Sequence, residues 1–241
     1  MQLILIFVAI IAGLVQGVTG FGLGIVMMTI LPFMLPLASS AAVANCVSLP
    51  LCFMMLLRYR KEVQYQHLIW PAIFYIFGSS LAILLAPLVD QRFLKILFSI
   101  FLITLALYFV KFDSRIHLKA NFPTMFLSGL ISGICDGLFG IGGPLMVLFY
   151  LSLLHSKEAY LGTLQGLFLL VGSYNFVFRL YRGIFTIDLL ELAFLSSMAV
   201  LLGLAIGNRI IERIDSWLMN RLVYILIGLS GLLTLVTTLF Y

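Results

Sequence analysis

The sequence predicts an all-α integral membrane protein made of two homologous halves, a prediction that rests on its composition, glycine spacing and charge placement. Hydrophobic residues make up 63% of the 241 residues and charged residues 10%, whereas soluble domains contain about 45–50% and about 25%. A chain of this size cannot bury so much apolar surface in one core. We therefore expect the lipid bilayer to be its main partner.

The net charge of +5 does not point to nucleic acid here. The Lys and Arg residues lie between apolar runs, where they mark membrane topology and meet anionic lipid head groups. No nucleic-acid partner is expected.

A ladder of glycines occurs twice at a fixed offset of 120 positions. Gly13, Gly17, Gly20 and Gly22 have the same mutual spacing as Gly133, Gly137, Gly140 and Gly142. Internal repeats of this kind fix the architecture of a chain. The sequence thus predicts two membrane repeats, residues 1–120 and 121–241, which together form one transport domain.

Each half contains three segments long and apolar enough to cross a bilayer, which takes roughly 20 residues. They are 38–57, 68–88 and 93–110, then 159–180, 189–207 and 217–241. Two further apolar stretches, 3–37 and 122–154, are each over thirty residues long and carry the ladders. Each half is therefore expected to hold a broken or hairpin glycine-rich helix plus three transmembrane helices.

The basic residues favour hairpins over crossings, because Lys and Arg collect on the cytoplasmic side. If both long stretches cross, the 14 basic residues divide 8 to 6 between the faces, and if both return they divide 10 to 4. In the second case one face carries Arg58, Arg60, Lys61, Lys111, Arg115, Lys119, Lys157, Arg209, Arg213 and Arg221, and the other carries Arg92, Lys95, Arg179 and Arg182.

Hairpins place both termini outside the cytoplasm and make the repeats inverted, since three crossings start the second half on the opposite face. Four crossings per half would make parallel repeats instead. Inverted repeats with interrupted helices are a recurring plan of secondary transporters, with the binding site near the midplane between the halves.

The later glycines of each ladder predict a break in the helix. Gly140, Gly142 and Gly143 precede Pro144, and proline suits the first turn of a half-helix. In the first copy, Gly24 takes the proline's position. Irregular backbone at membrane depth must be covered by protein or face a water-filled cavity, so two such breaks would frame one cavity. Helix N-termini in that cavity would suit an anion.

The earlier glycines predict close helix packing. Gly13 with Gly17, and Gly133 with Gly137, form the Gly-x-x-x-Gly spacing that lets backbones approach in membranes.

Polar side chains inside the membrane stretches are candidates for substrate contact. Asp136 could carry a coupled proton or cap the N–H groups of the break. Gln16 takes its position in the first half, and Asn45 and Gln165 form a second pair 120 positions apart. Hydrogen bonds between helices are the alternative role for these amides.

The motif Gly137-Leu-Phe-Gly140-Ile-Gly142-Gly143-Pro144, repeated half a chain earlier, resembles the TauE/SafE family of sulfite exporter-like membrane proteins. The first copy departs from the usual pattern and reads Gly17-Val-Thr-Gly20-Phe-Gly22-Leu-Gly24. The resemblance implies transport of small sulfur-containing anions, such as sulfite, sulfoacetate or related sulfonates, across the bacterial inner membrane. The expected substrate-binding residues are Gln16, Gly20, Gly22, Asn45, Asp136, Gly140, Gly142, Gly143 and Gln165.

Other functions have less support in the sequence. The spans contain no arrangement of a nucleophile and base, and the histidines lack metal-ligand spacing, so no enzyme, metal or cofactor is expected. An anion channel, or a carrier for another small organic anion, is the alternative, and the oligomeric state stays open. Arg179 and Arg182 are expected to snorkel to the membrane surface, with substrate contact as the alternative.

Overall fold

The computed structural model describes residues 2–112, 121–210 and 216–240, and the regular structure within them is helical, as predicted. The boundary between the expected repeats falls beside residues 113–120, outside the described residues. The described residues form ten α-helices: α1 Gln2–Thr19, α2 Leu23–Met27, α3 Leu37–Tyr59, α4 Ile69–Leu85, α5 Gln91–Phe112, α6 Phe122–Phe139, α7 Gly143–Leu153, α8 Lys157–Tyr181, α9 Leu190–Ile210 and α10 Ser216–Phe240.

Six helical segments among the described residues are long and apolar enough to cross a membrane: Leu37–Glu62, Tyr65–Leu88, Gln91–Tyr108, Phe122–Phe139, Lys157–Tyr181 and Ile187–Gly207. Five of them coincide with predicted spans. The predicted span 217–241 falls on α10, of which Gly228–Phe240 is an apolar stretch, and Tyr241 lies outside the described residues. The remaining segment, Phe122–Phe139, was expected to be one arm of a hairpin. Its 18 residues extend for roughly 27 Å, so this arm reaches most of the way across a bilayer.

Both predicted breaks are confirmed as backbone features. Gly20 and Gly22 have φ of 85° and 108°, and Gly140 has φ of 66°. Only glycine enters this left-handed region without steric cost. The first break separates α1 from α2, and the second separates α6 from α7.

The half-helices after the breaks differ in length. Helix α7 begins at Gly143 with Pro144 in its first turn, one residue from the predicted start, and runs for 11 residues. Helix α2 runs for only five residues and gives way to a 3₁₀ turn at Leu31–Phe33. Pro32 explains the early end, because proline removes a helical hydrogen bond and disfavours helix in the residue before it.

The first arm of each broken helix packs along the fourth helix of the opposite half, so that α6 packs on α4 and α1 packs on α9. The contacts are Gly133 on Tyr75 and Gly137 on Ser79 for α6 with α4, and Gly13 on Val200 and Gly17 on Leu204 for α1 with α9. Residue numbers rise together along both pairs, so the paired helices are parallel. The predicted packing role of these four glycines is confirmed.

Helix α7 returns toward the end of the molecule at which α6 begins. Gly142, which follows the break, lies against the Tyr75 side chain, and Gly133 in the middle of α6 lies against the backbone of the same residue. Further along α7, the Tyr150 hydroxyl donates a hydrogen bond of 2.9 Å to the carbonyl oxygen of His67, just before α4. Helices α6 and α7 therefore form a hairpin.

Equivalent helices of the two halves pack antiparallel. In α3 and α8, Tyr59 contacts Gly162 while Leu49 contacts Gly172. In α5 and α10, the Arg92 side chain bonds the carbonyl oxygen of Leu239 at the far end of α10. Parallel repeats would give equivalent helices the same direction in a membrane. The packing thus has the sense that inverted repeats require, and the membrane topology stays a prediction.

A reporter that fluoresces only in the cytoplasm tests this topology. Fused after Tyr241, it should stay dark, because three crossings per half place both termini outside the cytoplasm. Fused to a chain truncated after Phe112, it should fluoresce, since α5 ends on the side rich in Lys and Arg. A fluorescent fusion after Tyr241 would contradict the inverted arrangement.

Candidate functional site

A small cavity lies where the two helix breaks meet. Gly24 packs so closely on the carbonyl oxygen of Gly140 that a Cβ at Gly24 would overlap it. The cavity has a volume of about 60 Å³, several-fold smaller than the roughly 300–1,000 Å³ pockets that hold drug-sized ligands. It suits a small ion or a few water molecules.

Seven of the nine expected site residues line this cavity. They are Gln16, Gly22, Asn45, Asp136, Gly140, Gly142 and Gly143. The other two, Gly20 and Gln165, are not among the described residues that line it. The glycine ladder and the offset of 120 therefore identified residues that the fold brings together from α1, α3, α6 and the two breaks.

Gly20 and Gln165 are joined to each other beside the first break. The Gln165 side-chain amide donates a hydrogen bond of 2.6 Å to the Gly20 carbonyl oxygen and accepts one of 3.3 Å from Gln16. The backbone N–H of Leu23 donates to the Gln16 side-chain oxygen at 3.2 Å. Gln16 thus makes the interhelical hydrogen bond considered for it, and because it also lines the cavity, its contact with a substrate stays a prediction.

Asn45 is the amide with unused hydrogen-bonding capacity at the cavity. It is buried, and its side-chain oxygen has no hydrogen-bond partner. An unpartnered polar atom costs free energy in an apolar interior. Asn45 is therefore the side chain whose oxygen a hydrogen-bond donor, such as a water molecule, would most stabilise.

Asp136 takes its hydrogen bonds from neighbouring helices. Asn175 in α8 donates to the carboxylate Oδ2 at 2.6 Å, and the Tyr75 hydroxyl in α4 lies beside the carboxylate. Asn175 in turn accepts a hydrogen bond of 2.7 Å from Ser79. The capping role considered for Asp136 is not observed, because the described hydrogen bond of its carboxylate is to Asn175 and not to an N–H group of the break.

Arg179 is the residue beside the cavity whose position was predicted wrongly from the sequence. It does not snorkel, since only 1% of its surface is exposed. Its guanidinium donates to the carbonyl oxygens of Asp136 at 2.8 Å, Gly137 at 3.0 Å and Ala38 at 3.2 Å. The last carbonyls of a helix lack internal partners and carry partial negative charge, so the end of α6 offers a cation a site. One signal was available, because Asn175 and Arg179 are four residues apart on one helical face.

The N-terminus of helix α7 lies at the cavity, and this helix is long enough to have a dipole of its own. Gly143, the first residue of the 11-residue helix α7, lines the cavity, and the first N–H groups of a helix have no internal acceptors. The expected counterpart in the first half is corrected, because the five-residue α2 is a single turn. The site is thus less symmetric than the sequence repeat.

An all-helical membrane protein with two broken helices around a polar cavity has the design of a membrane transporter. The sequence matches the family described as sulfite exporter TauE/SafE across residues 5–234, and the chain belongs to that family. Its members are transporters rather than enzymes, and this chain is a multi-pass protein of the cell membrane. Comparisons with curated proteins and with solved structures found no match.

Proposed function

We propose that the protein is a secondary carrier that moves a small sulfur oxyanion across the bacterial inner membrane through the cavity between the two breaks. The observation that carries this proposal is the convergence of both breaks, two neutral amides and the start of α7 on one small cavity. Neither half alone supplies such a site. A site shared between repeats is where carriers of this plan bind substrate.

The polar groups at the cavity suit an oxyanion. The N-terminus of α7 offers positive potential and N–H donors. The amide of Asn45 can present its N–H₂ group to a ligand, and Gln16 also lines the cavity. Asp136 adds a negative charge, which Arg179 opposes from behind.

The size of the cavity favours the smallest of the expected substrates. About 60 Å³ accommodates an inorganic oxyanion such as sulfite more readily than a sulfonate with a carbon chain. Sulfoacetate and larger sulfonates would need the cavity to widen. We therefore place sulfite first among the substrates.

A proton is the candidate coupling ion, and Asp136 is its candidate carrier. The carboxyl group is buried and lines the cavity. Ionisable groups inside membrane proteins commonly serve as proton carriers.

Counterflow in liposomes tests the function. Vesicles loaded with unlabelled sulfite should take up labelled sulfite in a saturable manner, with sulfate, sulfoacetate and acetate as competitors. Asn45→Leu should raise KM about tenfold or more, because a hydrogen bond to a charged group contributes about 1.5–3 kcal/mol. Gln66→Leu removes an exposed amide and is the matched control.

Two outcomes would contradict the proposal in different ways. Failure of every sulfur oxyanion to exchange, with acetate exchanging instead, would favour a carrier for another organic anion. Unsaturable flux without counterflow would favour an anion channel.

A further inference from the structure

A buried cluster of polar side chains joins α4, α6 and α8 at one wall of the cavity. Its members are less than 10% exposed: Tyr75, Ser79, Asp136, Asn175 and Arg179. A carboxylate and a guanidinium at this depth are expensive to desolvate. Packing alone does not account for them, because an apolar pair of similar volume would fill the same space at less cost.

The two charges are held by separate hydrogen bonds. Asn175 bonds the Asp136 carboxylate, whereas Arg179 bonds the backbone carbonyls of Asp136 and Gly137. The charges attract each other electrostatically. Because Arg179 is held by backbone, it can stay in place when the carboxyl group becomes neutral.

The two charged groups also differ in their access to the ligand. Asp136 lines the cavity, while Arg179 is fully buried outside the described lining. The other titratable groups that face Asp136 are Tyr75 on α4, Cys52 on α3 and the adjacent Cys135 on α6. Phenols and thiols are ordinarily uncharged at neutral pH. The charge of the site therefore depends on Asp136 and Arg179.

A bound anion would change the net charge of the site. With Asp136 ionised and Arg179 protonated, the empty site has no net charge. A monovalent anion would bring the site to a net charge of −1, which is costly where the dielectric constant is low. A proton on Asp136 restores neutrality, so a bound anion favours protonation of the carboxylate and a protonated carboxyl favours the anion.

We propose that Arg179 is the fixed counter-charge of the transport site and that Asp136 binds one proton from water with each monovalent anion. The proton adds to a carboxylate oxygen, Asp136 becomes a neutral acid, and the positive charge of Arg179 then balances the anion. Release of the anion on the other side returns the proton to water. The pair crosses with no net charge, an inference that rests on the proposed carrier function.

The first half offers no second proton site of this kind. At the offset of 120, Gln16 corresponds to Asp136, Met55 to Asn175 and Tyr59 to Arg179. None of the three is charged at neutral pH. One proton per cycle follows from this asymmetry between the repeats.

The test uses proteoliposomes and methanesulfonate, whose single negative charge does not change with pH. Counterflow of labelled methanesulfonate reports the carrier function. Net uptake driven by an acidic exterior reports coupling, and one pH unit should support about tenfold accumulation, since one unit of pH is a tenfold difference in proton activity. A membrane potential imposed with potassium and valinomycin should leave the accumulation unchanged.

Asp136→Asn separates the two functions because it keeps the size of the side chain and removes its proton site. We expect accumulation in response to pH to disappear and the net uptake that remains to become sensitive to membrane potential, whatever the change in the rate of counterflow. Arg179→Lys should keep coupled uptake, whereas Arg179→Gln should lower counterflow at least tenfold. Arg182→Gln changes an exposed arginine three residues further along and should behave like the wild type.

The outcomes distinguish the two proposals. Absence of counterflow for every sulfur oxyanion would contradict the carrier function and this inference with it. Counterflow without any response to the pH gradient in the wild type would overturn the inference alone. So would an Asp136→Asn variant that still accumulates methanesulfonate in response to pH.

Discussion

Gly142→Ala is expected to abolish transport and to lower the thermal stability of the protein. A Cβ at this position would overlap the Tyr75 hydroxyl and would lie 2.8 Å from the backbone carbonyl oxygen of Ser132. Neither group can move freely, because the Tyr75 side chain is buried and the carbonyl belongs to α6. Overpacking of this kind typically costs about 1–3 kcal/mol. Thermal unfolding in detergent and counterflow in liposomes measure the two effects.

Gly143→Ala is the matched control for the steric part of this prediction. A Cβ there would lie 3.5 Å from Cβ of Phe21 and 3.6 Å from the ring of Phe168, which are ordinary contacts. The variant should unfold at the wild-type temperature, while its methyl group at the cavity weakens anion binding. Wild-type stability and transport in Gly142→Ala would show that the second break has no such constraint.

The fold class and the breaks could be predicted because they depend on local sequence. Composition identifies the bilayer as solvent, and glycines two apart or adjacent cannot line one helical face. The positive φ angles of Gly20 and Gly140 are the structural form of that pattern. The short α2 was not predicted, because the glycines of the break mark where this helix begins, whereas its end depends on Pro32 further along the chain.

The cavity could be predicted only in part, because its remaining walls depend on contacts between distant segments. Gln16, Asn45 and Asp136 lie at positions marked by the repeat, and all three line the cavity. Tyr75 was missed because it reaches the site only through the parallel pairing of α4 with α6. That pairing leaves no trace in the spacing of residues within either helix.

The misplaced Arg179 has a similar explanation. A basic residue near the end of a predicted span normally extends toward the lipid head groups. Here the end of α8 lies between the start of α3, at Ala38, and the last turn of α6, at Gly137. Carbonyl oxygens replace the aqueous surroundings that a snorkelling side chain would reach. Whether an arginine near the end of a span snorkels or stays buried therefore depends on tertiary packing.

Polar character has diverged between the repeats more than backbone geometry has. Both halves keep a break with left-handed glycine, yet among the described residues the charged cluster lies at the second break. The predicted inverted repeat would require similar backbones in the two halves. It does not require the same side chains, so one half can specialise in charge while the other supplies neutral hydrogen bonds.

Gly13→Ala and Gly133→Ala should each destabilise the protein, and by similar amounts. A Cβ at Gly13 would overlap the carbonyl oxygen of Val200 in α9, and one at Gly133 would overlap that of Tyr75 in α4. Because the obstacle is backbone, relief requires the paired helices to separate, at a typical cost of about 1–3 kcal/mol. The melting temperature in detergent measures the loss, and weaker counterflow should accompany it.

Gly228→Ala is the matched control, since it makes the same change in a membrane helix where there is room. Among the described residues, a Cβ there would contact the Cβ of Ala106 at 3.4 Å, so the melting temperature should stay at the wild-type value. Equal melting temperatures for all three variants would contradict the close packing of the broken helices on the opposite half. A loss confined to Gly13→Ala or to Gly133→Ala would instead show that the two halves bear unequal shares of that packing.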